Sequence, residues 1–410
     1  VKTSVVWGPL DHNLFFTIIF LNVYGIIMVY SASYNNSITK NYSYFMNNQL
    51  KNVIFGFIIM IIASYINYHR IVRFGWGWFW LFLAVCIIAA LKTPLAHSEL
   101  GATRWIKLGS ISFQAAEPIK AAIIIFFAYY VSYWGLNRWY NQVLACLLAI
   151  ALLGFLFFFS NNLSTVIVLF CICAVIILSS VKKPDLYWYF LIGLALVIIA
   201  AIGVTVYLLM HQGAENFRFV RIRAWLHPEE YAADEGLQAM QARYAIGAGG
   251  FWGKGLGQSL IKFKLSYSYN DFILAIICEE LGVFGVIVMM TLFGYLLYRI
   301  YKIAQNAWDI EGKVLAIGVF TQIALQLLIN VMVVTSVIPT TGVTLPFFSA
   351  GGTSVVFLLA ELGMVLNVDK YAKERRFFEE AERHVAQMEQ RGGIGAAGWR
   401  RRLDSARTHR

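Results

Sequence analysis

Ten stretches of roughly 17–25 mostly apolar residues follow one another along this chain, near 12–32, 50–67, 75–91, 116–134, 141–160, 162–180, 186–210, 270–298, 313–335 and 350–367. In hydrocarbon every backbone N–H and C=O must find its partner inside the structure, and a helix is the way a single apolar run achieves this. The succession therefore predicts an all-α, polytopic membrane protein of about ten transmembrane helices. Of the 410 residues, 59% are hydrophobic and 13% charged, with a mean hydropathy of +0.65. A soluble domain is about one quarter charged, so that class is excluded.

Orientation follows from basic residues in the short loops. His69, Arg70 and Arg73 follow the second span, Arg138 the fourth, Lys182 and Lys183 the sixth, and Arg299 and Lys302 the eighth; the 336–349 loop has no Lys or Arg. Both termini are predicted to be cytoplasmic, which turns 92–115 and the large 211–269 loop outward. The first span is expected to remain in the membrane, since no small-residue cleavage site follows it. Residues 1–368 read as the membrane domain. Residues 369–410 read as a basic cytoplasmic tail, with 11 Lys or Arg against 7 Asp or Glu. Its segment 370–390 is expected to be a surface helix and the remainder disordered and drawn to anionic lipid, not to nucleic acid.

Cys86, Cys146, Cys171, Cys173 and Cys278 all fall within spans without Cys-x-x-Cys or histidines at ligand spacing, which favours small apolar packing residues and predicts no structural metal. The glycine string 247–257 lacks the strand and helix of a dinucleotide loop and reads as a tightly turning outer loop.

Three features carry chemistry. Asp271 stands at the mouth of the apolar run that begins near 270, where an ionised carboxylate is costly unless solvated, paired or used. Glu117 and Lys120 share one face at the start of the fourth span, with Pro118 between them in the first helical turn. Their spacing alone fits either an ion pair that holds the helix end or a pocket in which Lys120 and Arg104 meet an anionic substrate. Gln322, Gln326 and Asn330 recur at i, i+4 and i+8, a face suited to interhelical hydrogen bonds or to lining a lipid-substrate groove.

The string Gly101-Ala102-Thr103-Arg104-Trp105-Ile106-Lys107-Leu108-Gly109, with Gln114, Glu117 and Lys120, resembles the first outer motif of the SEDS family, the peptidoglycan polymerases typified by FtsW, RodA and SpoVE. Gly25–Ser33, Gly236–Gly247 with Gly249–Gly257, and Pro339–Ser354 resemble three further family segments, so the resemblance covers nearly all of 11–367. Thr344-Leu345-Pro346 is similar to the FtsW-like branch. The chain departs from the family at Ser266-Tyr267, where relatives often have Pro-Glu, at Asn161-Asn162-Leu163-Ser164-Thr165, where Pro-Asp-Leu-Gly-Thr is common, and at Ala350, where a Tyr is usual. Two acidic positions are thus missing, which weighs against metal ligation there.

The resemblance implies glycosyl transfer on lipid II at the outer membrane face, serving cell division or cell shape. Asp271 is then the catalytic base, and Arg104, Glu117, Lys120, Gln241, Arg243, Lys254 and Ser349 the substrate-binding residues. Arg and Lys suit pyrophosphate oxygens; snorkelling or loop stabilisation is the other reading of Arg243. Glu279 and Glu280, more than two turns deeper, are read as bracing neighbouring helices. The resemblance implies no obligate cofactor and leaves open a Mg or Mn ion at the pyrophosphate. It also implies a class B penicillin-binding protein, a transpeptidase, as partner, with other divisome or elongasome membrane proteins. A flippase for lipid-linked precursor and a non-catalytic scaffold are the rival readings. Clustering of the polar motifs on the outer side, away from the midplane where carrier sites lie, favours the enzyme.

Overall fold

The computed structural model describes residues 10–33, 44–99, 102–108, 111–160, 162–181, 223–226, 228, 230, 235–263, 270–350, 352–390 and 399–400. Its helices are α1 (His12–Ser33), α2 (Tyr44–Tyr65), α3 (Tyr68–Val72), α4 (Trp78–Ala90), α5 (Ala116–Trp134), α6 (Trp139–Ser160), α7 (Leu163–Ser180), α8 (Glu235–Gly249), α9 (Ile273–Gln305), α10 (Ile310–Val334) and α11 (Thr353–Gln390). Among the described residues, six are long and apolar enough to cross a bilayer: α1, residues 45–65 of α2, α6, α7, α9 and α10. The expected spans at 75–91, 116–134 and 350–367 coincide with α4, α5 and the first half of α11. The first of these is only 13 residues long, α5 carries Glu117 and Lys120, and α11 runs on into charged sequence. The expected span 186–210 lies outside the described residues.

Among the described residues the helices are accompanied by one small sheet. The segment between α4 and α5, expected to face outward, forms strands β1 (Ala96–Glu99), β2 (Ala102–Leu108) and β3 (Ile111–Gln114), antiparallel in that order. Trp105 pairs with Gln114 and Ile106 with Phe113, and Ile106 is buried beneath the sheet. The first outer motif thus sits on a hairpin whose last strand feeds directly into α5.

Two close backbone approaches order the bundle. On α1, a Cβ at Gly25 would lie 2.2 Å from the Phe347 carbonyl oxygen, so only glycine lets the 339–350 segment cross that helix. On α11, a Cβ at Gly363 would lie 2.5 Å from the Met60 carbonyl oxygen of α2, the small-residue contact by which membrane helices pack when lipid gives no hydrophobic drive. α9 packs against α1, α8 and α10, while α10 packs in turn against α5 and α7. α11 runs unbroken through the 368–369 boundary expected from composition, and Asp369 and Lys370 are buried on it.

Two expectations about the eighth span change. The helix begins at Ile273, which leaves Asp271 in the preceding turn and not on the helix. It also breaks at Gly282, where φ is 63° and ψ is −164°.

Candidate active site

Asp271 is half-buried, and its position is set through the backbone. The Asn330 side-chain amide donates to the Asp271 carbonyl at 2.9 Å and to the Val343 carbonyl, also at 2.9 Å. Ser349 donates its hydroxyl to the Asn270 carbonyl at 2.8 Å and accepts the Leu345 N–H at 2.7 Å. The turn ahead of α9 is thereby tied to α10 and to the 339–350 segment at two successive residues. Ser349, expected to bind substrate, holds the backbone of Asn270, next to Asp271.

Glu117 and Lys120 form an ion pair of 2.8 Å with side chains 5% and 3% exposed. Two ions so far from water are retained only when each has its partner. The pair lines a cavity of about 350 Å³, counting its open mouth, among Gln114 at the end of β3, Asn162, Ser164 and Thr165 at the start of α7, Gln326 on α10, and Gly342, Val343 and Thr344. Asn162 caps α7 through the Thr165 N–H at 3.4 Å, and Ser164 donates to the Thr341 carbonyl at 2.9 Å, so Asn162, Ser164 and Thr165 of the departing segment form part of the wall. Val343 joins the two halves: it lines the cavity, and its carbonyl shares Asn330 with Asp271.

The polar face of α10 makes interhelical hydrogen bonds and also borders the cavity. Gln326 lines the cavity and Asn330 holds Asp271, while Gln322 donates to Glu361 of α11 at 2.8 Å. Glu361 is 1% exposed and lies within electrostatic reach of Lys120 and Glu117. The sequence reading missed it. An acid inside the apolar run 350–367 was the available signal.

The other expected residues are placed elsewhere. Lys254 is bound to Glu279 at 2.7 Å. Arg243 is exposed on α8, and Gln241, on the same helix, has a buried Oε1 without a hydrogen-bond partner. None of these three lines the cavity. Arg104 belongs to β2, and its side chain lies outside the described residues.

Glu279 and Glu280 are fully buried and brace the outer loop. Glu279 accepts from Lys254, from the Ser259 hydroxyl and from the Leu260 N–H at 3.2 Å. Glu280 accepts from the Ser31 hydroxyl of α1, from the Ser259 N–H at 3.2 Å and from Lys262 at 3.5 Å. These bonds fold the glycine-rich string back onto α9 and α1, as expected of a tightly turning loop.

A bundle of apolar helices with a buried ion pair in a cavity at one end, and with the backbone of Asp271 tied through Asn330 to a residue of that cavity, defines a polytopic membrane protein with a polar site near one end of the bundle. The chain belongs to the FtsW/RodA/SpoVE family of cell cycle proteins, whose model matches residues 11–374. It is 33% identical over 370 residues to the probable peptidoglycan glycosyltransferase FtsW of Trichlorobacter lovleyi, covering 87% of this chain and 92% of that one. The stage V sporulation protein E of Bacillus subtilis is also 33% identical over 370 residues, covering 87% and 96%. Among solved structures, a chain from a peptidoglycan synthase complex that coordinates polymerization and crosslinking superposes with a TM-score of 0.74 at 22% identity, covering 89% of this chain and 99% of that chain. The rod-shape-determining protein RodA of Thermus thermophilus superposes at 0.63 and 21%, covering 88% and 97%.

Proposed function

We propose that this chain is a peptidoglycan glycosyltransferase that extends glycan strands from lipid II at the outer face of the cytoplasmic membrane, with Asp271 as general base. The acceptor 4-hydroxyl gives its proton to the Asp271 carboxylate as its oxygen attacks the donor anomeric carbon; the bond from that carbon to the pyrophosphate breaks, and the lipid pyrophosphate leaves with inversion. The observation that supports this reading is the Asn330 side chain, which bonds the Asp271 carbonyl and the carbonyl of Val343, a residue lining the cavity of the buried Glu117–Lys120 pair. A carboxylate for the proton and a desolvated cation for the departing phosphate are what the reaction needs.

Lys120 comes to the phosphate already neutralised by Glu117, so Arg104 and Arg243 are assigned as the further cations, contributed by the hairpin and α8. Of the residues lining the cavity, Glu117 alone is a carboxylate, and it is engaged by Lys120. That donor set does not form a protein cage for Mg or Mn, and no step is routed through one. Placing the site outside, with both termini inside, rests on the loop charges. Coupling to a single-span class B penicillin-binding protein rests on the relatives, among them the chain from a synthase complex.

The test is Asp271→Asn, which preserves shape and removes basicity. With purified lipid II, strand formation should fall by about 10²–10⁴-fold while lipid II binding persists. Near wild-type polymerisation by the folded variant would remove Asp271 from the mechanism, and unimpaired lipid translocation with no polymerase activity in the wild type would favour a flippase.

A further inference from the structure

The end of the bundle opposite Asp271 carries a second polar cluster that glycosyl transfer does not use. Glu311 opens α10, and Asn330, which holds Asp271, lies about five turns and about 28 Å further along the same helix. Beside Glu311 stand Asp309, the N-cap of α10, and His69 of α3.

Three atoms converge there. His69 Nε2 is 2.5 Å from Asp309 Oδ2 and 3.7 Å from Glu311 Oε2, and all three lie within 4.8 Å of one another. The remaining polar atom of each side chain is engaged from behind. His69 Nδ1 meets Asn67 Oδ1 at 2.9 Å. Asp309 Oδ1 accepts from the Tyr68 hydroxyl and the Gly312 N–H, each at 2.8 Å. Glu311 Oε1 accepts from Arg73 Nε and the Ser132 hydroxyl, each at 2.9 Å. That leaves His69 Nε2 and Asp309 Oδ2, in contact with each other, and Glu311 Oε2 gathered in one place.

Glu311 supplies an independent sign that a ligand belongs there. Its side chain is 3% exposed, and Oε2, the atom facing His69, is buried without a hydrogen-bond partner. A buried carboxylate oxygen with no donor is costly, and a cation at the convergence point would relieve it. His69 and Asp309 are 17% and 27% exposed, which leaves a route from water.

We propose that His69, Asp309 and Glu311 bind one divalent first-row cation, with Zn²⁺ the preferred ion and Mn²⁺ the second. A Nδ1–H donated to Asn67 presents Nε2 as a neutral ligand, the arrangement that orients metal-binding histidines. One imidazole with two carboxylates selects against Ca²⁺ and Mg²⁺, which take all-oxygen sets. The cation would staple several elements at once: α3 through His69, the start of α10 through Asp309 and Glu311, α5 through Ser132, and α11 through Asn367, which accepts the Tyr68 N–H at 2.9 Å, and Tyr371, whose ring lies 4.9 Å from His69.

The test is metal stoichiometry on the full chain in lipid nanodiscs, stripped with chelator and dialysed against Zn²⁺ or Mn²⁺. The wild type should retain one equivalent. His69→Ala and Asp309→Asn should each lose it, Asn67→Ala should weaken binding by about 10–100-fold, and His384→Ala, on the exposed surface of α11, should change nothing. Should His69→Ala fail to fold, His69→Cys keeps a ligating atom, and with Co²⁺ it should show a thiolate-to-cobalt charge-transfer band. Less than stoichiometric binding by the wild type, full binding by folded Asp309→Asn, or no such band in folded His69→Cys would overturn the site and leave His69–Asp309 as an ion pair.

Discussion

At the scale of single residues, the Glu117–Lys120 pair separates stability from catalysis. Glu117→Gln leaves Lys120 charged and uncompensated in a buried site and should cost about 3–5 kcal/mol, seen as a lower unfolding midpoint in detergent. Replacing both by apolar residues of similar volume, Glu117→Leu with Lys120→Met, should restore most of that stability without restoring polymerisation, because the cation for the leaving phosphate is gone. A double variant as active as wild type would make the pair purely structural. Asn330 tests positioning: Asn330→Ala frees the Asp271 and Val343 carbonyls it holds and should lower the polymerisation rate at least about tenfold, as misplacement of a reacting group does, with lipid II binding kept. Of these residues, Glu117, Lys120 and Asp271 were legible because charge in an apolar run is conspicuous. Glu361 was equally conspicuous but belonged to no matched motif, and its bond to Gln322 joins positions that are neighbours only once α10 and α11 pack.

At the scale of elements, the break in α9 is what lets the outer loop dock. Gly282 adopts a positive φ, and a Cβ there would lie 2.4 Å from the Gly253 amide nitrogen, since the loop's backbone passes directly over it. The Gly253 site is as tight, with a Cβ 2.2 Å from the Glu280 carbonyl oxygen. Gly282→Ala should therefore expel the 250–263 loop, so that limited proteolysis cuts there in the variant and spares the wild type; equal resistance in both would contradict the packing. The glycines were visible in the sequence as a turning loop. That the loop closes on Glu279 and Glu280, and that an apparently continuous span bends to receive it, could not be read from an apolar run whose period is the same with or without a break.

At the scale of the whole molecule, orientation in the membrane is the open geometric question that labelling answers. With native cysteines replaced, Gln258→Cys in the outer loop should react with an impermeant maleimide on intact cells, and Arg383→Cys on α11 only after permeabilisation; both side chains are exposed. External labelling at 383 would invert the topology and place the His69 cluster outside. Apolar side chains remain exposed along α2, including Ile54, Phe55, Ile58, Ile61 and Ile62, as expected of a face turned to lipid or to a partner's single span.

Length and hydropathy of the apolar runs determined by themselves that this chain is a helical membrane protein, because a lone backbone in hydrocarbon has few ways to pair its polar groups. The motif strings, through their resemblance, named the family and most of the residues at the cavity. The tertiary structure alone decided which of those residues meet. It tied the Asp271 backbone through Asn330 to Val343 in the cavity wall, assigned Lys254 to Glu279 and left Arg243 on the surface, and converged His69 with Asp309 and Glu311 across some 240 positions. The physical reason is that burial and hydrogen-bond satisfaction are properties of packed helices, and no spacing along one chain segment encodes which neighbour will supply the partner.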